Sequence, residues 1–391
     1  MSGNEERLSE AAQAIEPTLI REFRAKAKAD SLDLGIGQTD LEVPAPLRAA
    51  LIDHAESASA PYSDNLGLPA LRESVGAHLG CSAAEVMITC GVQEGLAVAI
   101  QGLVDPGERV LVPDPGFPAY PNLVRSVGAE PVPYQLDPDD GFRLDPASLE
   151  RAVDAGFSAV VFNNPSNPTG RHHSTDEIDL LLEATEAADA HWIADEIYGP
   201  YVYDAPFVSV ADRAAQRNIP GIRIGGLSKS MHIMGWRLGW LTAPQAWIQG
   251  LKPLHQHLVT CAPTSTQHVA MAALDRFNEL FTPTLDEFRR RRDYATGRIE
   301  AIPELSASTG GGAFYLFIDV RAYSQIDGGS LQLATDLLED QDVVLIPGRG
   351  FGPGGEGFLR LAYTRPTPVL EEAFDRLEAF FDSRAAERRT T

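Results

Sequence analysis

An α/β fold is the architecture this sequence predicts: a large domain with a mostly parallel sheet flanked by helices, plus a smaller α+β domain. Three observations carry that reading. Between residues 86 and 242 short apolar runs alternate with helical patterns, and such alternation yields parallel strands covered on both faces. Beyond about residue 300 the order changes to strands interleaved with two long helical stretches. At 391 residues the chain also exceeds what one compact core accommodates.

In chain order, residues 5–29 read as one amphipathic helix, followed by a strand at Leu32–Gly37. Further strand-like runs are Val86–Thr89, Arg109–Val112, Pro131–Tyr134, Ala159–Asn163, Trp192–Ala194, Ile222–Gly225 and Leu238–Thr242. Helical patterns fill Leu66–Leu79, Gln93–Leu103, Ala119–Val127, Thr175–Ala188 and Pro244–Leu258. A long helical region spans 264–300. Strands follow at Ala313–Val320, Val343–Ile346 and Gly357–Ala362, with helices near 329–340 and 368–383. The predicted division is an N-terminal segment, 1–47, that joins the small domain, a large domain at 48–290, and a C-terminal small domain at 291–391.

Bulk properties exclude several functions. A formal net charge of −23 opposes a nucleic-acid partner, which needs a basic face. No apolar run reaches the roughly 18 residues of a membrane span. The acidic N-terminus, residues 1–7, lacks a signal-peptide core, so a cytoplasmic location is expected. Cys81, Cys90 and Cys261 are too few and too widely spaced for a disulfide framework or a zinc site, and no metal is expected. The acidity fits a salt-adapted host, while the bias to arginine is equally explained by GC-rich coding.

That bias makes Lys229 informative. The chain holds four lysines among its 32 basic residues, and this one lies in Gly226-Leu227-Ser228-Lys229-Ser230-Met231-His232-Ile233-Met234-Gly235-Trp236-Arg237. Arginine cannot lose its proton in water, whereas a lysine of lowered pKa condenses with an aldehyde. Ser228 and Arg237 are suitable donors to a phosphate monoester. An amine beside a phosphate clamp points to pyridoxal 5'-phosphate (PLP). Taken alone, the segment also fits a surface lysine in a Gly-rich turn.

Other stations reinforce the first. Gly91 lies where a strand passes into a helix, which aims the Val92 and Gln93 amides at an anion. Phe117 tips the loop after the next strand and could stack on an aromatic ring or fill the core. Asn167, in Asn163-Asn164-Pro165-Ser166-Asn167-Pro168-Thr169-Gly170, offers an amide in a rigid turn. Asp195 ends a strand where a carboxylate can pair with a protonated pyridine nitrogen, and Tyr198 can bond a ring oxygen.

Together these residues resemble the class I/II PLP aminotransferases, of PLP fold type I, from about residue 30 to 385. The likeness rests on Tyr62, Gly67, Leu71-Arg72, the Gly91 turn, Asn-Pro-Thr-Gly at 167–170, Asp-Glu-Ile-Tyr at 195–198, Ser-Lys at 228–229, Gly-Trp-Arg at 235–237 and Arg360 in Phe358-Leu359-Arg360-Leu361. The resemblance implies that Lys229 carries the cofactor and shuttles a proton, with Asp195 on the pyridine nitrogen and Asn167 and Tyr198 on the ring oxygen. It implies that Phe117 stacks on the ring and that Val92, Gln93, Ser228 and Arg237 clamp the phosphate. Tyr62 would reach the phosphate of a neighbouring subunit, making a homodimer with shared active sites. Arg360, helped by Asn167 and the Gly37 backbone, would grip the substrate α-carboxylate. Two positions depart from the family's habits. His232 replaces a small or apolar residue, and Gln93 stands where some aspartate-preferring relatives carry lysine, which disfavours a dicarboxylic substrate.

The expected reaction moves an amino group between an α-amino acid and a 2-oxo acid. A cysteine-conjugate β-lyase, a decarboxylase or an amine-ligating enzyme would use nearly the same residues. A non-enzymatic regulator lacks any DNA-binding module here, and a cofactor-free aldolase would need neither phosphate clamp nor pyridine carboxylate.

Overall fold

The computed structural model of the chain describes residues 8–57, 59–308, 311–323 and 328–390. Residues 1–7, read above as an acidic N-terminus and the start of a helix, lie outside them. In chain order the strands are β1 (Leu32–Asp33), β2 (Val86–Thr89), β3 (Arg109–Asp114), β4 (Glu130–Asp137), β5 (Arg143–Leu144), β6 (Ala159–Asn163) and β7 (His191–Asp195). They continue with β8 (Gly221–Gly225), β9 (Gly239–Thr242), β10 (Ser306–Ser308), β11 (Tyr315–Asp319), β12 (Val343–Val344), β13 (Ile346–Pro347) and β14 (Phe358–Ala362).

Eight strands form the large sheet in the order β2-β9-β8-β7-β6-β3-β4-β5. The run from β8 through β7, β6 and β3 to β4 is parallel, while β9 pairs antiparallel with both β8 and β2, and β5 with β4. Every residue of β2, β6, β8 and β9 is buried, as a sheet covered on both faces requires. Helix Val92–Leu103 covers one face through Leu96, Val98, Ala99 and Ile100. Helix Thr175–Ala187 buries Ile178, Leu181 and Leu182, and is started by a reciprocal Ser174–Glu177 capping box.

A four-stranded antiparallel sheet, β10-β11-β14-β13, lies toward the C-terminus. Helix Thr367–Thr390 packs in the adjoining core through Leu370, Phe374, Leu377 and Phe381. Its β11–β14 register sets Phe317 opposite Arg360, so Tyr315, two residues away on the same strand face, adjoins the arginine. The parallel pairing of β1 with β12, Leu32 opposite Val343, ties the N-terminal segment to this region.

Several elements differ from the sequence expectation. The predicted helix over 5–29 is two helices, Glu10–Gln13 and Leu19–Lys26, separated at Pro17, whose ring restricts the residue before it. Val343–Ile346 is divided between two sheets, β12 pairing with β1 and β13 with β14. Helices Ala45–Glu56, Pro146–Ala155 and Val210–Arg217 fill further gaps between the strands. The region 264–300 holds two helices, Thr264–Leu274 and Phe277–Ala301. The second runs unbroken through the expected domain boundary at 290. Among the described residues no helix is long and apolar enough to cross a membrane.

Candidate active site

The adjacent strands β8, β7, β6 and β3 all end at the same edge of the sheet, where ligands collect in open α/β folds. The loops that follow supply Lys229, Asp195 with Tyr198, Asn167 and Phe117. Together with Gly37, Val92, Gln93, Ser228, Arg237, Tyr315 and Arg360 they line one cavity of about 480 Å³. Residues separated by more than 300 positions therefore share one chamber.

Lys229 is half-buried, and its Nζ donates a hydrogen bond to the Gly37 carbonyl at 2.7 Å. Burial, reinforced by the Arg360 and Arg237 guanidiniums, lowers its pKa to about 8 despite the opposing pull of Asp195. Gly37 itself must lack a side chain, since a Cβ there would fall 2.0 Å from the Tyr315 hydroxyl.

Asp195 ends β7 with its carboxylate in the cavity. Tyr120 donates its hydroxyl to Oδ2 at 3.0 Å, and the Ile197 N–H donates to Oδ1 at 3.2 Å. Burial outweighs these bonds and raises the carboxyl pKa to about 6. Glu196, by contrast, faces the opposite way into a buried network. It accepts from Arg223 Nε at 2.7 Å, from Ser209 and from the Val210 N–H.

Gly91 precedes helix Val92–Leu103 with φ +83°, and a Cβ at that position would lie 2.5 Å from Arg237 Nη2. The missing side chain thus admits the guanidinium beside a helix N-terminus whose first N–H groups have no intrahelical acceptor. Arg237 is held there by donating to the Met234 carbonyl at 3.0 Å and the Cys90 carbonyl at 3.2 Å. Ser228 Oγ donates to the Leu238 carbonyl at 3.2 Å. Two hydroxyl-bearing or charged side chains and a helix start form a cradle suited to a phosphate dianion. The half-buried amine, the buried carboxylate and this cradle together match the donor set that PLP requires.

Arg360 is 1% exposed, among the largest fully buried side chains. Its guanidinium lies between the Tyr315 and Phe351 rings, with centroids 4.5 and 4.7 Å away. Nη1 donates to Asn167 Oδ1 at 2.8 Å, Nη2 donates to the Gly35 carbonyl, and Nε has no partner among the described residues. No carboxylate of the described residues lies within ion-pair distance of it. A buried cation without a counterion is costly, an arrangement suited to an anionic ligand.

Tyr62 stands apart. It is 83% exposed and borders a separate concavity with Leu51, His54, Val259 and Cys261. The chain's own cavity does not include it. Three lining residues carry roles the sequence reading did not assign. Tyr120 holds Asp195, Tyr315 shares a 2.7 Å hydrogen bond with the Tyr198 hydroxyl, and Arg21 arrives from helix Leu19–Lys26. Tyr120 lies in the helical pattern Ala119–Val127, but its direction follows only from the fold. Arg21, exposed on its helix, is a further cation among the residues that line the cavity.

The comparisons agree with this chemistry. The family model for aminotransferase class I and II matches residues 29–377. The YugH protein of Bacillus subtilis (strain 168), named as an aminotransferase, is 34% identical over 387 residues, covering 95% of this chain and 98% of its own. Aspartate aminotransferase of Geobacillus stearothermophilus is 29% identical, covering 97% and 100%. The structure of an alanine aminotransferase from Pyrococcus furiosus superposes with a TM-score of 0.89 at 27% identity, covering 96% and 100%. The chain belongs to the class I and II aminotransferases, PLP-dependent enzymes that move an amino group between an amino acid and a 2-oxo acid.

Proposed function

We propose that Lys229, Asp195 and Arg360 are the working groups of this transaminase and that its amino donor is an α-amino acid with a second carboxylate. The observation that carries the assignment is the presence, in one cavity, of a lysine whose pKa is lowered to about 8 and a buried arginine whose Nε has no partner among the described residues. When bound, PLP supplies an electrophilic carbonyl and a ring that stores the electron pair left by the departing α-proton. Lys229, with a pKa lowered to about 8, offers a substantial neutral-amine fraction near pH 8, able to bond the cofactor carbonyl and afterwards to take and return a proton at Nζ. Asp195 holds a proton-bearing ring nitrogen, and Tyr120 keeps that carboxylate oriented. Arg237, Ser228 and the Val92 and Gln93 amides hold the phosphate. Phe117 covers the ring, while Asn167 and Tyr198 address its oxygen. Arg360 takes the α-carboxylate in a two-pronged hydrogen bond, beside Asn167 and the Gly37 backbone.

Arg21 supports the choice of donor: it is a cation on the cavity wall beyond those used for phosphate and α-carboxylate. The relatives' names divide among aspartate, alanine, aromatic amino acids and N-acetyl-LL-diaminopimelate, so this residue is what weighs toward the first. Tyr62, exposed and outside its own cavity, fits a reach into the site of a second copy, and a homodimer is our reading. The domain division at residues 47 and 290 and a cytoplasmic location belong to the same reading. For the latter, Cys81, Cys90 and Cys261 are all free, as thiols are in a reducing compartment. The decisive experiment is a donor–acceptor panel with purified protein, following 2-oxo acid formation and the change of the bound PLP spectrum. Turnover of aspartate or glutamate with a 2-oxo acid acceptor supports the proposal. Release of ammonia and pyruvate without an acceptor would instead indicate a lyase.

A further inference from the structure

The segment 35–40 has no regular secondary structure, yet it forms one wall of the cavity. Its Gly37 carbonyl receives the Lys229 amine, and its Gly35 carbonyl receives Arg360. Backbone of this kind keeps its place only through contacts with other elements. Thr364 Oγ1 donates to the Ile36 carbonyl and Arg365 Nη1 to the Gln38 carbonyl, and two side-chain clasps hold Thr39 and Asp40 at its C-terminal end. In the first, Asp40 accepts a forked pair of bonds from Arg291, at 2.6 and 3.0 Å, on helix Phe277–Ala301. This clasp does not touch the loop that carries the lysine.

The second clasp does. His232, three residues after Lys229, is 7% exposed and sits between two buried hydroxyls. Its Nδ1 lies 2.9 Å from Thr39 Oγ1, and its Nε2 lies 3.0 Å from Thr284 Oγ1 on the same long helix. A neutral imidazole has one donor and one acceptor nitrogen, and a threonine hydroxyl serves either role. The chain Thr39–His232–Thr284 is thus satisfied in both tautomers, with no polar atom of the three left over. His232 also has φ +59°, a backbone state in which histidine is enriched and which apolar branched residues avoid.

We propose that His232 is a positioning residue: by bridging Thr39 and Thr284 it fixes the Gly37 wall against the lysine loop, and so sets the place of the substrate relative to Lys229. Loss of the bridge frees the wall while leaving the Asp40–Arg291 clasp, the phosphate cradle and Asp195 in place. Substrate affinity then suffers more than cofactor affinity. The kinetic consequence rests on the reading of this cavity as the amino-acid site; the mobility of the wall does not.

The test uses the PLP-loaded enzyme and three variants. His232→Leu removes both bonds, His232→Asn keeps a polar atom near the Nδ1 position and tolerates positive φ, and Thr39→Val removes one partner without touching the lysine loop. Amide hydrogen exchange across residues 35–40 is expected to rise about 10-fold or more in His232→Leu and Thr39→Val, as expected for a local opening, and within about threefold of wild type in His232→Asn. KM for the amino donor is expected to rise about 10-fold with kcat within about threefold, again with recovery in His232→Asn. If His232→Leu does not fold, Thr39→Val carries the test alone. Unchanged exchange and unchanged KM in Thr39→Val overturn the proposal, as does an equal loss of stability and activity in every variant without a selective rise at 35–40. Raised exchange with no transamination of any donor would leave the bridge standing and overturn the proposed function instead.

Discussion

Replacing Arg360 by lysine removes the group that most directly distinguishes an amino-acid site from a cofactor site. The guanidinium is fixed by Asn167 Oδ1 at 2.8 Å, by the Gly35 carbonyl and by the rings of Tyr315 and Phe351, leaving Nε and the outer edge for a ligand. A lysine ammonium keeps the charge but cannot span those acceptors and present a planar fork. Losing one of two charge-assisted hydrogen bonds costs about 1.5–3 kcal/mol, and weaker stacking between the rings adds about 0.5–1 kcal/mol. At about 1.4 kcal/mol per tenfold, the sum corresponds to a fall in kcat/KM of roughly 30- to 700-fold in Arg360→Lys. Steady-state kinetics with a dicarboxylic donor measures it, and the PLP absorption band should remain, because Arg360 lies outside the phosphate cradle. A variant within threefold of wild type would show that the α-carboxylate is held elsewhere.

Four further outcomes are expected. Lys229→Ala should fold and lower turnover by about 10³ or more, and borohydride treatment of the wild type should leave a pyridoxyl mass on the Lys229 peptide; a label on Lys252 would refute the assignment. With a pKa near 8, Lys229 loses its proton as pH rises through 8, so PLP capture by the apo-protein should climb to a plateau just above it, whereas an ordinary lysine is well under about 1% neutral at that pH. Asp195→Ala should slow α-proton loss, read by deuterium exchange at the donor α-carbon, more than it weakens PLP binding; an undiminished exchange rate would remove Asp195 from that role. Arg21→Leu should lower kcat/KM for aspartate and glutamate about 10-fold or more while leaving alanine within threefold, and an equal fall for all donors would indicate a packing role.

The parts of the fold legible in sequence were those in which burial is written into consecutive residues. β2 and β6 were bounded to the residue because each is a continuous apolar run ending at a turn, the pattern of a strand covered on both faces. The remaining elements depended on partners. β5 and β10 are two and three residues long, too short for any period to register. Val343–Ile346 looks like a single strand, but its halves pair with different sheets, a choice made by β1 and β14 and not by the segment itself. Helix Ala45–Glu56 starts behind Pro44 and is apolar around much of its circumference, so it lacks the one-sided stripe by which a surface helix is recognised.

The site shows the same dependence at the level of single side chains. Lys229, Asp195, Asn167 and Arg237 stand in local strings whose turn residues and strand ends already indicate which way they face. Their chemistry is local, and sequence carries it. What adjusts that chemistry is not local. The Lys229 amine is shifted chiefly by burial and next by Arg360, 131 residues away; Asp195 is oriented by Tyr120, 75 residues away; and Gly37, which receives the lysine, is 192 residues from it. His232 makes the point most sharply. In sequence it is only an unusual residue beside a lysine, whereas in the fold its two nitrogens meet hydroxyls 193 and 52 positions distant. A family pattern specifies which groups react. The values at which they titrate, and the rigidity with which they face the substrate, are set by contacts that exist only after the chain has closed, and these contacts are where this enzyme can differ from its relatives without altering its motif.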